Sequence, residues 1–135
     1  MATLKERKIN MKKILFQGDS ITDALRQRWE TSVYNGSGYA TLVSAHLGYE
    51  YPNRFEFVNR GISGNRITDL ISRIKCDFIN LEPDYLSILI GINDVWHEIS
   101  SKNGVSEEKF ERYYNNFQIF LPIRRFYLKF HAKRH

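Results

Sequence analysis

The sequence predicts an α/β fold built on a parallel sheet, and three observations predict it. Strand-like apolar runs alternate with stretches of helical periodicity. One run, Tyr85-Leu86-Ser87-Ile88-Leu89-Ile90, is continuously β-prone, as a central parallel strand should be. Ser20, Gly61 and Asn93 each stand just beyond the end of a different predicted strand. Open parallel sheets bind ligands at the carboxyl ends of their strands, so three segments converge there on one edge.

The elements follow in order. Lys12-Lys13-Ile14-Leu15-Phe16-Gln17 reads as a short buried strand ended by Gly18, and a helix is expected from Ser20 to Arg28. After the glycine-punctuated loop of 34–38, Tyr39, Leu42, Val43, His46 and Leu47 share one helical face, and Gly48 supplies a stop. His46 is read as a core or boundary residue. Phe55-Glu56-Phe57-Val58-Asn59 alternates like a strand. Ile67, Leu70, Ile71, Ile74, Phe78 and Ile79 predict one helix from Arg66 to Leu81, broken by Pro83. The last helix opens at Val105-Ser106-Glu107-Glu108, with Ser106 as its N-cap, and carries Phe110, Tyr113, Tyr114 and Phe117.

Composition narrows the class. At 135 residues, 42% hydrophobic and 14% aromatic, the chain fits one globular, soluble domain. It has no apolar run near the ~20 residues of a membrane helix. Met1 to Lys13 is basic and lacks an apolar signal core, which points to a cytoplasmic protein; Met11 is an alternative start. The single cysteine, Cys76, excludes an internal disulfide, fits a reducing compartment and reads as a buried structural thiol. Net charge is +5, yet residues 124–135 hold five basic residues and no acid follows Glu111. Without those five the remaining fifteen bases balance the fifteen acids. The basicity therefore belongs to the tail, which is not the stripe across a folded face that binds nucleic acid.

Acyl transfer needs a nucleophile and donors aimed at the oxyanion of the tetrahedral intermediate. Ser20, on a glycine-led turn at a helix start, offers a hydroxyl and its own N–H. Gly61 offers a second N–H and Asn93 a side-chain amide. Taken singly, each has a plainer reading: Gly18 and Gly61 make turns, Ser20 caps a helix, and Asn93 sits in an Asx-turn. Together at three strand ends they favour the catalytic layout.

The motifs resemble those of the GDSL or SGNH hydrolases. Gly18-Asp19-Ser20-Ile21-Thr22 looks like the nucleophile block, Asn59 to Asn65 like the glycine block, and Gly91-Ile92-Asn93-Asp94 like the G-x-N-D block. The phrases Val58–Leu70, Ser87–Trp96 and Gly104–Phe110 resemble most the bacterial carbohydrate-esterase branch that includes acetylxylan esterases. The likeness covers roughly 12–116. It implies a flavodoxin-like three-layer α/β/α sandwich, with Ser20 as nucleophile, Gly61 and Asn93 joining it in the oxyanion hole, and neither metal nor organic cofactor. The implied substrate is a small acyl ester or acetylated carbohydrate.

The family's base and orienting acid come together in a D-x-x-H block near the C-terminus, after two further strands. Residues 117–135 depart from that pattern, and neither His131 nor His135 follows an Asp at that spacing. The expected organisation is an N-terminal extension at 1–11, a partial hydrolase domain at 12–116 and a divergent basic tail. Truncation or a frameshift explains the change; a diverged short member, with Phe126, Leu128 and Phe130 in a replacement strand, is the alternative. One literal D-x-x-H, Asp94-Val95-Trp96-His97, overlaps the G-x-N-D block. His97 is thus a candidate substitute base in the loop after the third strand, although its closeness to an oxyanion donor argues against it. Trp96 and Asp94 are candidates for a substrate rim, and Trp29 for a pocket wall. The expected function is acetyl or short-acyl ester hydrolysis through an acyl-enzyme on Ser20, impaired by the missing block. A non-catalytic glycan- or ester-binding protein is the rival. An uncovered edge on the third strand would invite pairing with a second copy.

Overall fold

The computed structural model describes residues 11–28 and 34–120. Expectations that fall on Trp29, His131, His135, the first ten residues or the tail lie outside the described residues. Three strands form a parallel sheet: β1 (Lys12–Gly18), β2 (Phe55–Asn59) and β3 (Tyr85–Leu89), in the order β2-β1-β3. In register, Leu15 stands beside Val58 and Leu86, while Phe16 stands beside Asn59 and Ser87. Among the described residues β3 pairs with β1 alone, so it forms an edge.

Alternation along β1 sends neighbouring side chains to opposite faces. Leu15, with Leu86 and Ile88, faces one core shared with Ile67, Leu70, Phe78, Tyr114 and Phe117. These last five come from α3 (Ile67–Ser72), from Phe78 just after α4 (Ile74–Asp77), and from α6 (Glu107–Phe120). The rings of Phe78 and Phe117 meet edge-on with centroids 4.6 Å apart. Each side chain so buried contributes about 1.5–3 kcal/mol. Phe16 faces the other way and meets Tyr39 at 5.8 Å, which places α2 (Tyr39–Glu50) on the opposite face. Helices thus cover both faces of a parallel sheet, as the flavodoxin-like expectation requires.

Four elements differ from the sequence reading. The first helix, α1 (Ser20–Asp23), stops after four residues because Ala24 and Leu25 turn into the left-handed region. Helix α2 continues through Gly48 to Glu50, and its inward residue is Ala40 rather than the Leu42 face. Leu42 is 73% exposed and His46 is exposed as well. The helix expected over 66–81 is instead α3, α4 and a 3-10 turn at Ile79–Leu81, broken first at Arg73. Arg73 turns its guanidinium inward onto the Asn65 side chain, the Arg60 carbonyl and Asp77. Cys76 is exposed, because α4 directs its short apolar side elsewhere.

The segment after β3 is helical from its third residue: α5 spans Ile92–Ser101. His97 therefore lies within a helix and not in a loop. Ser106 does cap the final helix, accepting at its hydroxyl from Lys109 N at 3.4 Å. No helix among the described residues is long and apolar enough to cross a membrane.

Candidate active site

The nucleophile turn is built by Asp19. Its main-chain oxygen accepts from Asp23 N at 2.8 Å, and its side-chain Oδ1 accepts from Ile21 N at 3.0 Å. The first of these is the opening intrahelical bond, and the second satisfies a donor that the helix start leaves open. Asp19 is 1% exposed, and Oδ2 meets no donor among the described residues. Burial therefore pushes its carboxyl above the usual Asp range. Ser20 is held at the surface end of this turn, exposed. Among the described residues its hydroxyl takes no hydrogen bond, and no histidine is bonded to it.

The glycine loop, 60–65, is stitched to that turn and to the end of β1. Arg60 N donates to Phe16 O at 2.9 Å and Ile62 N to Gly18 O at 3.1 Å, continuing the pairing of β2 with β1. Asn59 Nδ2 donates to Thr22 O at 2.6 Å and to Asn35 O at 2.7 Å. Arg26 Nε donates to Gly61 O at 2.7 Å, and Ser63 N donates to Asp23 Oδ2 at 3.0 Å.

Gly61 itself departs from the role expected of it. Its N–H donates to Asn59 Oδ1 at 2.8 Å, and the residue is buried. A Cβ there would stand 2.4 Å from Asp23 N. Gly61 is a close-packing glycine under α1, and its donor is already engaged. Gly64 is the opposite case. It has φ +83, its surroundings are open within 4 Å of a Cβ, and its N–H has no acceptor among the described residues. The Ser63-Gly64 pair, a turn-forming dipeptide, was the available signal in the sequence.

Asn93 enters from α5. Its Nδ2 donates to Asn65 O at 3.1 Å, which brings it beside the glycine loop and leaves its second amide hydrogen for another acceptor. Asp94 does not lie on a rim. It is 2% exposed, and both carboxyl oxygens accept from Ile67 N, at 3.0 and 3.2 Å. The helix start turns Asp94 inward beneath Asn93, and burial raises its carboxyl to about 6. His97 is half-buried within α5, in electrostatic range of Asp69, and no hydrogen bond joins it to Ser20. Trp96 is 62% exposed beside Ile92 and Ile99 on the same helix.

The structure thus brings Ser20, Gly64 and Asn93 to one edge of the sheet, each from the segment after a different strand. Fold and motifs together define a partial α/β hydrolase with a serine-centred site. The family model of the GDSL-like Lipase/Acylhydrolase family matches residues 16–129, and the chain belongs to that family. It is 47% identical over 90 residues to an acetylxylan esterase of Geobacillus stearothermophilus, covering 64% of this chain and 41% of that protein. The crystal structure of Axe2, an acetylxylan esterase from Geobacillus stearothermophilus, superposes with a TM-score of 0.72 at 37% identity, over 80% of this chain and 53% of that one. LAE5, an alpha/beta hydrolase enzyme from the metagenome of Lake Arreo, Spain, gives 0.72 at 36% identity, over 80% and 54%. The chain therefore spans about half the length of these relatives.

Proposed function

We propose that this chain carries the nucleophile and oxyanion half of a serine esterase acting on acetyl or other short acyl esters of carbohydrates. The observation that carries it is the tie between Asn93 and Asn65, which sets a side-chain amide beside the open Gly64 peptide at the edge where Ser20 is exposed. Ser20 Oγ attacks the ester carbonyl carbon and loses its proton. The carbonyl oxygen takes the negative charge and accepts from Ser20 N–H, Gly64 N–H and Asn93 Nδ2. Collapse breaks the bond to the sugar oxygen, which leaves as an alcohol after taking a proton, and water then hydrolyses the acyl-enzyme. The acetyl preference rests on the likeness to proteins named as acetylxylan esterases.

The reading includes slow turnover as an expectation, with no histidine partnering Ser20 among the described residues. An oxyanion hole and binding alone sustain about 10³–10⁴-fold over water when a triad member is missing. An acetyl-ester hydrolysis assay on the chain, Ser20→Ala and His97→Ala tests the reading. Weak hydrolysis lost in Ser20→Ala and kept in His97→Ala is expected. Absence of hydrolysis, together with no labelling of Ser20 by a fluorophosphonate, sinks it. A Ser20 hydroxyl with no partner among the described residues favours a second reading, an ester- or glycan-binding protein without turnover. Binding of acetylated xylooligosaccharide undiminished in Ser20→Ala would select that one.

A further inference from the structure

Asp23 is the residue through which the nucleophile turn and the glycine loop touch by a side chain of that turn. It closes α1, three residues after Ser20, and its carboxylate is buried. Oδ2 accepts from Ser63 N at 3.0 Å and also pairs with Arg28. Ser63 immediately precedes Gly64, so the peptide that Asp23 holds is the neighbour of the one whose N–H is open. The other ties end elsewhere: Ile62 N reaches Gly18 at the end of β1, Asn59 grips the Thr22 carbonyl, and Arg26 grips the Gly61 carbonyl. None of these joins a side chain of α1 to the loop beyond Gly61.

We propose that Asp23 is a positioning residue for the oxyanion hole, fixing the Gly64 N–H relative to Ser20 by holding the Ser63 peptide against α1. This rests on the esterase reading above and names the side chain that sets the distance between two of its donors. The geometric demand is severe, since a misplacement of about 1 Å costs about a hundredfold in rate. A charge-assisted hydrogen bond from a backbone N–H to a buried carboxylate is short, directional and stronger than a neutral one. Gly64, at φ +83, sits between Ser63, held by Asp23, and Asn65, held by Asn93 and Arg73, so its peptide is set from both sides. Without the Ser63 tether, the peptide that carries the Gly64 N–H is held from the Asn65 side alone.

The test compares Asp23→Ala, Asp23→Asn and Arg28→Ala by fluorophosphonate labelling of Ser20 and by the amide NMR spectrum of the folded chain. In labelling, the Ser20 Oγ–phosphorus bond forms as fluoride leaves, and the oxygen that accumulates charge occupies the oxyanion position. Asp23→Ala should lower the maximal labelling rate by about tenfold or more, with the half-saturating probe concentration unchanged, because orientation and not binding is lost. Asp23→Asn keeps an acceptor for Ser63 N and should restore the rate to within about threefold. Arg28→Ala leaves the Ser63 bond in place and should stay near the parent rate. The Ser63 amide should move upfield and exchange faster in Asp23→Ala, and recover in Asp23→Asn. An unchanged Ser63 amide, or an unchanged maximal rate in Asp23→Ala, overturns the proposal. If the parent chain is never labelled, the esterase reading fails, and the Ser63 amide still decides whether Asp23 tethers the loop.

Discussion

The side chains of Asn93 and Asp94, consecutive on α5, both bind the glycine-loop side of the site, Asn93 at Asn65 O (3.1 Å) and Asp94 at Ile67 N (3.0 Å). One residue presents a donor toward the sheet edge while the next anchors the helix behind it. The pair divides chemistry from scaffolding, and the two roles separate by mutation. Asn93→Ala should lower Ser20-dependent hydrolysis by about 10²–10³, the loss seen when one oxyanion donor is removed. Its thermal midpoint should stay close to the parent's, because Asn93 is only half-buried. Paired hydrolysis and melting measurements check this, and a large fall in stability with little loss of rate would contradict it.

Asp94 carries the reverse expectation. Asp94→Ala strands the buried Ile67 N–H and should cost about 1–3 kcal/mol of stability. Its pH behaviour follows from a carboxyl raised by burial from its ordinary 3.8 to about 6. The folded state holds the proton more tightly than the unfolded one. The stability this confers is complete below about pH 4 and is lost as pH rises through about 6. Urea midpoints from pH 4 to 7 should therefore fall more steeply in the parent than in Asp94→Asn, which has no such proton to lose. Parallel curves for the two proteins would refute this assignment.

Gly61 and Gly64 should respond oppositely to alanine. At Gly61 a Cβ would press on Asp23 N at 2.4 Å and Thr22 C at 2.8 Å, both backbone atoms that cannot swing aside. Gly61→Ala should thus destabilise by about 1–3 kcal/mol or more. At Gly64 there is room for the methyl group, and the cost is the positive φ alone, about 1–2 kcal/mol. Relief of that strain rotates the peptide, so Gly64→Ala should lose Ser20 labelling out of proportion to its stability. Equal rate losses in the two variants at matched folded fraction would restore Gly61 as the donor.

These residues also show how far the sequence can be read. The placement of Ser20 and Asn93 beyond the ends of β1 and β3 is legible because each follows a strong strand signal. The parallel sheet was legible from the same strands. That the Gly61 N–H is already engaged is not legible, since it depends on Asn59 folding back onto it. Nothing in Asn59-Arg60-Gly61 announces that contact. Asp94 was misplaced on a rim because helix geometry, rather than proximity to Asn93, decides which way it points. The helix over 66–81 was overcalled because its apolar spacing continues through Arg73. There a long polar side chain finds Asn65, the Arg60 carbonyl and Asp77, and the chain breaks to reach them.

The outer face of α5 supplies the last prediction. Ile92, Trp96 and Ile99 recur at helical spacing and are 47%, 62% and 70% exposed. On the same strand–helix unit, β3 shows one edge with no paired strand among the described residues. An exposed apolar stripe, with an edge unpaired among the described residues, favours self-association, because each is a surface that a second copy can cover. Trp96→Lys with Ile99→Lys should reduce concentration-dependent association in sedimentation velocity and lower binding of an apolar dye. Exposed substitutions of this kind change stability by no more than about 0.5 kcal/mol, so the melting midpoint should hold. Undiminished association in the double variant would place the sticky surface elsewhere, with Leu42 and Val43 on α2 the next exposed apolar pair to substitute.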